Sequence, residues 1–272
     1  MGDFNELEVL QIMGFGVYLT EGNSKILLPK NNVPSHIKIG DKLTVFIYSN
    51  ADGRPVATTM KPKAVIEDFE CLTVKTVTDF GAFLDWGIDK DLFVPFKEME
   101  HKMEVGKKYV VRVCLDVQTN RVFAASNLSK YLQRAGEQLT TGEQVKLIVY
   151  DKHELGYKII VNDLYAGMLF YNEVFEDLHI GDKRTGYVKK VRDDGKLDIS
   201  LQPPGFKAII DAKNPVLAML EEAGGFLPYH DGSSPEEIKQ KFNMSKKAFK
   251  KTIGSLYKEG KITIKGYGIY LK

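Results

Sequence analysis

The pattern of apolar and polar residues in the middle of the chain predicts a small antiparallel sheet. Two runs in which apolar side chains alternate with others, Val74–Thr78 and Ala82–Trp86, flank Asp79-Phe80-Gly81. A third run, Leu92–Phe96, follows the turn Gly87–Asp91. Short alternating runs separated by turns that contain Gly and Asp are typical of adjacent strands. We therefore expect an antiparallel meander of three strands.

Four phenylalanines, Phe80, Phe83, Phe93 and Phe96, lie close together in this meander. Successive residues of a strand point to opposite faces of a sheet, so these rings cannot all enter one core. An aromatic ring that faces water can stack an unpaired base, because every base has a π-face. The alternative is that Phe80 and Phe83 fill the interior of a barrel.

The same pattern occurs three times along the chain. Phe15-Gly16-Val17-Tyr18, Phe80-Gly81-Ala82-Phe83 and Leu155-Gly156-Tyr157-Lys158 can be aligned, and three landmarks then follow each of them in register. These landmarks are an apolar triplet (Leu27–Pro29, Phe93–Pro95, Met168–Phe170), a glycine pair (Gly40-Asp41, Gly106-Lys107, Gly181-Asp182) and a strand that ends at Thr59, Ser126 or Ser200. A repeat of about 65–75 residues has the size of a five-stranded Greek-key barrel.

The repeats predict three domains, at residues 1–62, 63–132 and 133–204. In the first, the turn Asn50–Pro55 has Asp52-Gly53 at its centre and predicts a hairpin between the strands Lys42–Ser49 and Val56–Met60. The net charge of this domain is near zero. This domain is therefore either a binding module or a spacer that has the same fold but does not bind tightly.

Residues 205–272 follow a different pattern, which predicts a winged helix-turn-helix. Asn214-Pro215 begins a helix that extends through Ala223, because a polar N-cap and a proline at the first helical position favour a helix start. Ser234-Pro235-Glu236-Glu237 is a capping box for a second helix. Ser245 caps a third helix, and the segment from Lys261 to Lys272 forms a hairpin.

The motif Asp79-Phe80-Gly81-Ala82-Phe83, with the landmarks after it, resembles the S1 domain, an RNA-binding OB-fold module. Three such modules before a winged helix look like the conserved virulence factor B family of bacterial RNA-binding regulators. The resemblance implies a mainly β, multidomain protein with three tandem S1-type OB-fold barrels and a small α+β winged helix. It also implies binding of single-stranded RNA in post-transcriptional control of gene expression, including virulence factors. The RNA-facing positions of the family match Phe80, Phe83 and, less well, Pro95.

The second and third repeats supply further candidate RNA contacts. Arg112 lies on the strand after the meander, where it is expected to contact a phosphate or a base edge. In the third repeat, aromatic and cationic side chains are interleaved, which suits single strands. The candidates there are Tyr157, Lys158, Phe170, Tyr187, Lys189, Lys190 and Arg192. The alternative is that the tyrosines are half-buried barrel residues and the lysines are ordinary surface.

Charge is concentrated at the C-terminus. The whole chain carries +2, whereas residues 205–272 hold 12 Lys and 7 acidic residues, or +5, which leaves −3 for the repeats. Lys246, Lys247, Lys250 and Lys251 on the third helix are therefore candidate phosphate contacts. No Arg, Asn or Gln lies among them to read base edges, so DNA is expected to bind with low specificity. We expect the third barrel and the winged helix to form a composite RNA site that carries most of the affinity. A DNA-binding transcription regulator and a winged helix that contacts protein remain the alternatives.

The remaining features exclude several classes of protein. No apolar run reaches the roughly 20 residues of a membrane span, so no membrane partner is expected. The two cysteines, Cys71 and Cys114, fall in predicted strands and indicate free thiols in a reducing, cytoplasmic location. The five histidines are scattered, without metal-ligand spacing or a catalytic pattern. We therefore expect neither an enzyme nor a cofactor or metal.

Overall fold

The computed structural model divides the chain into two units, Met1–Tyr131 and Leu132–Lys272. The first unit contains a closed β-barrel and a barrel-like sheet of five strands, which we call the second barrel. The second unit contains a third, closed barrel and a small domain in which three helices are described. This architecture confirms the predicted fold class. The structure describes residues 1–22, 24–50, 52–174, 176–202 and 215–272.

The first barrel is closed by five strands in the order β1-β2-β3-β5-β4. The predicted hairpin is confirmed, since β4 and β5 are antiparallel and Phe46 pairs with Thr58. The last strand ends at Thr58, two residues earlier than expected. The strands are β1 (Asp3–Met13), β2 (Gly16–Glu21), β3 (Ser24–Pro29), β4 (Lys42–Ser49) and β5 (Pro55–Thr58).

The second barrel contains the predicted meander, which is confirmed as β6, β7 and β8. Its sheet has the order β10-β9-β6-β7-β8. The strands are β6 (Phe69–Val77), β7 (Gly81–Leu84), β8 (Leu92–Pro95), β9 (Lys108–Asp116) and β10 (Arg121–Ala125).

The third barrel is closed and repeats the strand order of the first. Its strands are β11 (Gln144–His153), β12 (Gly156–Val161), β13 (Tyr165–Phe170), β14 (Lys183–Val191) and β15 (Leu197–Ser200). In every barrel a short 3-10 turn follows the third strand, at Lys30–Asn32, Phe96–Glu98 and Tyr171–Glu173.

The glycine of the aligned motif in each repeat is required by the close approach of two strands. Gly81 pairs with Pro95 across β7 and β8, and a Cβ atom on Gly81 would lie 2.2 Å from the carbonyl oxygen of Val94. The equivalent glycines, Gly16 and Gly156, pair with Pro29 and Phe170, and a Cβ there would lie 2.3 Å from a carbonyl oxygen. A residue with a Cβ atom would clash at this position, which explains why glycine recurs in the motif.

The second glycine landmark closes a β-bulge in the first strand of each barrel. In the second barrel the bulge follows Val74, and the N–H of Gly106 donates to the Val74 carbonyl oxygen at 2.8 Å. Gly106 has a φ of +81°, in the left-handed region that glycine tolerates best. The equivalent pairs, Gly40 with Val9 and Gly181 with Val149, form the same hydrogen bond.

The first and second barrels share a hydrophobic core. On β4, Val45 and Ile47 point into the first barrel, whereas Phe46 and Tyr48 point outward and pack among core residues of the second barrel. Trp86 lies beside Phe46 in this shared core. The first barrel is therefore fixed to the second by packing of their side chains.

The C-terminal domain has the predicted winged helix-turn-helix arrangement. Its elements are α1 (residues 215–222), β16 (Phe226–Leu227), α2 (Pro235–Phe242), α3 (Lys246–Lys258), β17 (Ile262–Lys265) and β18 (Gly268–Leu271). The capping box is confirmed, since the Ser234 hydroxyl accepts from the N–H of Glu237, whose carboxylate accepts from the N–H of Ser234. Ser245 caps α3 through the N–H of Ala248. The predicted N-cap Asn214 lies outside the described residues.

Candidate nucleic-acid interface

Four phenylalanines lie on β7 and β8 or directly beside the ends of these strands. Phe83 and Phe93 lie opposite each other on the two strands, with ring centroids 5.0 Å apart. Gly81 pairs with Pro95 across the two strands. Phe80 comes directly before Gly81, and Phe96 comes directly after Pro95. Phe83 and Phe93 therefore lie on the outward face of the strand pair, and Phe80 and Phe96 lie just beyond one end of it. We call Phe80, Phe83, Phe93 and Phe96 the aromatic surface.

Two rings of the aromatic surface are exposed to solvent. Phe80 is 78% exposed and Phe96 is 47% exposed, whereas Phe83 and Phe93 are half-buried. The alternative that Phe80 fills the barrel is therefore wrong. The interior is filled by aliphatic side chains and by Trp86.

Arg112 makes its contacts within the first unit. The centre of its guanidinium group lies 4.9 Å from the ring centroid of Tyr131 and 5.9 Å from that of Phe69. A carboxylate oxygen of Glu67 lies 3.7 Å from the same group. A guanidinium between two rings is stabilised by cation–π attraction. The structure thus gives Arg112 a packing role beside the last residues of the unit.

Three of the predicted cations of the third barrel form ion pairs with carboxylates of the same barrel. Each pair partly neutralises a charge that the sequence suggested for phosphate binding. The pairs are Lys158 with Asp151 at 2.9 Å, Arg192 with Asp198 at 2.6 Å, and Lys189 with Glu173. Lys190 is exposed on β14.

The aromatic residues of the third barrel do not form an equivalent surface. Tyr157 is 9% exposed and belongs to the barrel core, with its ring against that of Tyr171. The half-buried Phe170 packs under the guanidinium of Arg192, at 5.7 Å from the ring centroid. Tyr187 is half-buried on β14. Where the second barrel has Phe83 opposite Phe93, the third has Lys158 opposite Met168, so the pair of rings is missing.

The candidate lysines of α3 differ in their polar contacts and exposure. The Lys246 ammonium donates to the carbonyl oxygen of Gly232 at 3.4 Å, and Lys250 lies 3.5 Å from a carboxylate oxygen of Asp231. Lys247 and Lys251, four residues apart, are exposed on one side of the helix. The opposite side of α3 is buried, so these lysines face away from the domain core.

Both cysteines are free thiols in strands, as predicted. Burial raises the pKa of Cys114, and this is the main effect on that group. Sequence reasoning missed the shared core at Phe46 and Trp86, and it missed Lys90, whose ammonium donates to the carbonyl oxygen of Ser49. The run Val45-Phe46-Ile47-Tyr48, which is apolar on both faces of the strand, was a sequence signal for the shared core. No pattern in the sequence singles out Lys90.

These features define a class of protein that combines OB-type barrels with a winged helix, two module types that bind nucleic acids. Among the residues that the structure describes, none of the helices is both long and apolar enough for a membrane span. Comparison with known families agrees with this class. The S1 domain matches residues 1–60 and 68–123, and the CvfB-like winged helix domain matches residues 214–271.

The chain belongs to the conserved virulence factor B family. It is 31% identical over 256 residues to the uncharacterized protein YitL of Bacillus subtilis, which covers 91% of this chain and 86% of the relative. It is 26% identical over 282 residues to conserved virulence factor B of Staphylococcus aureus N315, which covers 97% and 94%. A multidomain protein with nucleic acid binding domains from Streptococcus pneumoniae has 24% identity and a TM-score of 0.46, with 100% of this chain and 98% of that chain covered.

Proposed function

We propose that this protein binds single-stranded RNA on the aromatic surface of the second barrel and regulates gene expression after transcription. The observation that carries the proposal is the exposure of Phe80 beside the paired rings of Phe83 and Phe93. A base stacked on Phe80 would cover this exposed ring, because every base has a π-face. The family name, conserved virulence factor B, supports a role in regulation.

The geometry favours unpaired bases as the ligand. In a duplex the bases are stacked on each other and their faces are closed to side chains, whereas a single strand can splay its bases onto aromatic rings. Phe80 and Phe96 offer ring faces to solvent at one end of the strand pair, and Phe83 and Phe93 continue the surface along β7 and β8. Stacking of this kind tolerates different sequences, because it depends on the π-face of the base.

Exposed positive charge on the winged helix supports this proposal. Lys247 and Lys251 are exposed on α3 and attract phosphates at long range. A lysine ammonium acts as a point charge and does not distinguish base edges in the way that Arg or Asn does. The helix therefore supports binding of RNA in general and gives little support to recognition of a DNA sequence.

A comparison of two ligands tests the proposal. We expect the full-length protein to bind an oligouridine of about 12 nucleotides more tightly than a DNA duplex of equal length at the same salt concentration. The preference should become smaller in the Phe80→Ala variant, which removes the most exposed ring of the aromatic surface. Equal or tighter binding of the duplex by the unaltered protein would instead identify a DNA-binding regulator that acts through the winged helix.

A further inference from the structure

The sheet of the winged helix-turn-helix domain has a pair of aromatic rings on its outer face. Phe226 on β16 pairs with Tyr270 on β18, and their ring centroids are 4.7 Å apart with planes at 32°. The adjacent pair, Leu227 and Ile269, is buried in the core of the domain. Phe226 is exposed and Tyr270 is half-buried. Because successive residues of a strand point to opposite faces, the two rings lie on the side of the sheet away from the core.

A glycine lies against this ring pair, as it does in the aromatic surface of the second barrel. A Cβ atom on Gly268 would stand 2.5 Å from a ring carbon of Phe226, and a Cβ atom on Gly81 would stand 2.8 Å from a ring carbon of Phe93. The ring centroids of the two pairs are 4.7 and 5.0 Å apart. In both places glycine lets a ring lie close over the neighbouring strand. The ring arrangement to which we assign base stacking on the second barrel is therefore also present in a domain of another fold.

Positive charge and a third ring border the pair. Lys265 is exposed and pairs with Gly268 across β17 and β18, so its side chain is on the same face of the sheet as the two rings. Tyr267, in the turn between these strands, is 82% exposed. Residues 261–272 contain three lysines and no acidic residue. Rings beside lysines match the bases and phosphates of a single strand. We call Phe226, Lys265, Tyr267 and Tyr270 the wing surface.

The wing surface is separate from the exposed lysines of α3. The inner face of the sheet belongs to the domain core, which also contains Phe249 and Ile253 of α3. Lys247 and Lys251 are on the other, exposed side of that helix. The core of the domain therefore lies between the two sets of side chains, and a ligand on the wing surface is held by contacts other than those of the α3 lysines.

We propose that the wing surface stacks bases of single-stranded RNA, so that the winged helix binds RNA through its sheet as well as through α3. This inference rests on the proposed function, because it takes RNA to be the ligand of the protein. The rings of the wing surface stack bases, and Lys265 contacts a phosphate as a point charge. The lysines of the hairpin favour a polyanion over an uncharged apolar partner.

Photo-crosslinking of the full-length protein tests this site. Oligouridine that contains 5-iodouridine is bound and irradiated, and peptide mass mapping identifies the residues that react, because an excited iodouracil ring reacts with an aromatic ring stacked on it. We expect crosslinks at the wing surface in addition to the aromatic surface. Tyr270→Ala should reduce the crosslinks at the wing surface and weaken binding about tenfold. Tyr257→Ala should change neither, since Tyr257 is an exposed tyrosine on α3 and serves as the matched control.

The crosslinking pattern of the unaltered protein separates the possible failures. Crosslinks at the aromatic surface and none at the wing surface would refute the wing site and leave the proposed function standing. Crosslinks at the wing surface alone would support the wing site and contradict the place of RNA on the second barrel. Crosslinks at neither surface would refute both proposals.

Two further measurements complete the test. Should Tyr270→Ala lower the thermal midpoint, Tyr267→Ala decides the question, because this exposed ring contributes little to packing and its loss should still weaken binding. Unchanged RNA affinity in Tyr270→Ala, together with the loss of a dimer in sedimentation, would assign the wing surface to a second copy of the chain and refute the RNA site.

Discussion

The ring of Phe46 meets the indole of Trp86 edge-on, with centroids 5.3 Å apart and planes at 88°. Phe46 comes from β4 of the first barrel, whereas Trp86 belongs to the second, where its indole N–H donates to the carbonyl oxygen of Ala64 at 2.8 Å. The two barrels thus share aromatic packing as well as a chain connection.

Removal of the Phe46 ring should destabilise both barrels. Phe46 is fully buried, so Phe46→Ala is expected to cost about 3–5 kcal/mol in the free energy of unfolding. Val117→Ala is the control, because Val117 is 86% exposed and should change stability by less than about 0.5 kcal/mol. Urea unfolding of the full chain, followed by Trp86 fluorescence, measures both values. Similar small changes in the two variants would show that the barrels do not share a core.

Substitution by alanine should change stability in opposite directions at Gly81 and at Gly254. Gly81→Ala places a Cβ atom 2.2 Å from the Val94 carbonyl oxygen and should destabilise the protein by about 1–3 kcal/mol. Gly254→Ala, in the interior of α3, meets no atom within 4 Å and should stabilise the helix by about 0.5–1 kcal/mol. Thermal unfolding of the two variants checks the opposite signs. A neutral Gly81→Ala would contradict the close approach of β7 and β8.

The structure could be predicted from the sequence where local patterns determine it. The meander, the β4–β5 hairpin and the capping box at Ser234 follow from alternation, turn residues and helix-capping rules, and all three are present. The sequence was insufficient where partners are distant in the chain. The packing of the Arg112 guanidinium against Phe69 and Tyr131 was not foreseen from the sequence. The ion pairs of the third barrel also depend on which side chains the strand register brings together, and composition does not encode that register.

The two cysteines should react at different rates with an alkylating reagent. Burial raises the pKa of Cys114, so less of the reactive thiolate is present at any pH, and access is restricted as well. Cys71 is only half-buried. Iodoacetamide labelling of the native protein at neutral pH should therefore modify Cys71 before Cys114, with both modified after unfolding in urea. Peptide mass mapping identifies the sites. Loss of free thiol from the unfolded, unlabelled protein would instead indicate a disulfide.

The exposed lysines of α3 should contribute charge without selectivity. Lys247→Gln and Lys251→Gln are each expected to reduce the log–log salt slope of RNA binding by about 0.7 and to weaken binding equally for different RNA sequences. Lys241→Gln on α2 is the matched control, because Lys241 is exposed on another helix of the same domain. Fluorescence anisotropy over a series of salt concentrations gives the slopes. Unchanged slopes in both α3 variants would favour a protein-binding role for the winged helix.

The most direct test of the account removes single rings from the three barrels and measures affinity for oligouridine at fixed salt. We predict that Phe80→Ala and Phe83→Ala each lose about 1–3 kcal/mol of binding free energy. Tyr18→Ala, at the position of Phe83 in the first barrel, and Tyr171→Ala in the third barrel should lose much less. Circular dichroism confirms that each variant is folded. Full affinity in folded Phe80→Ala and Phe83→Ala, together with a large loss in Tyr171→Ala, would contradict the account and would place the RNA on the third barrel and the winged helix.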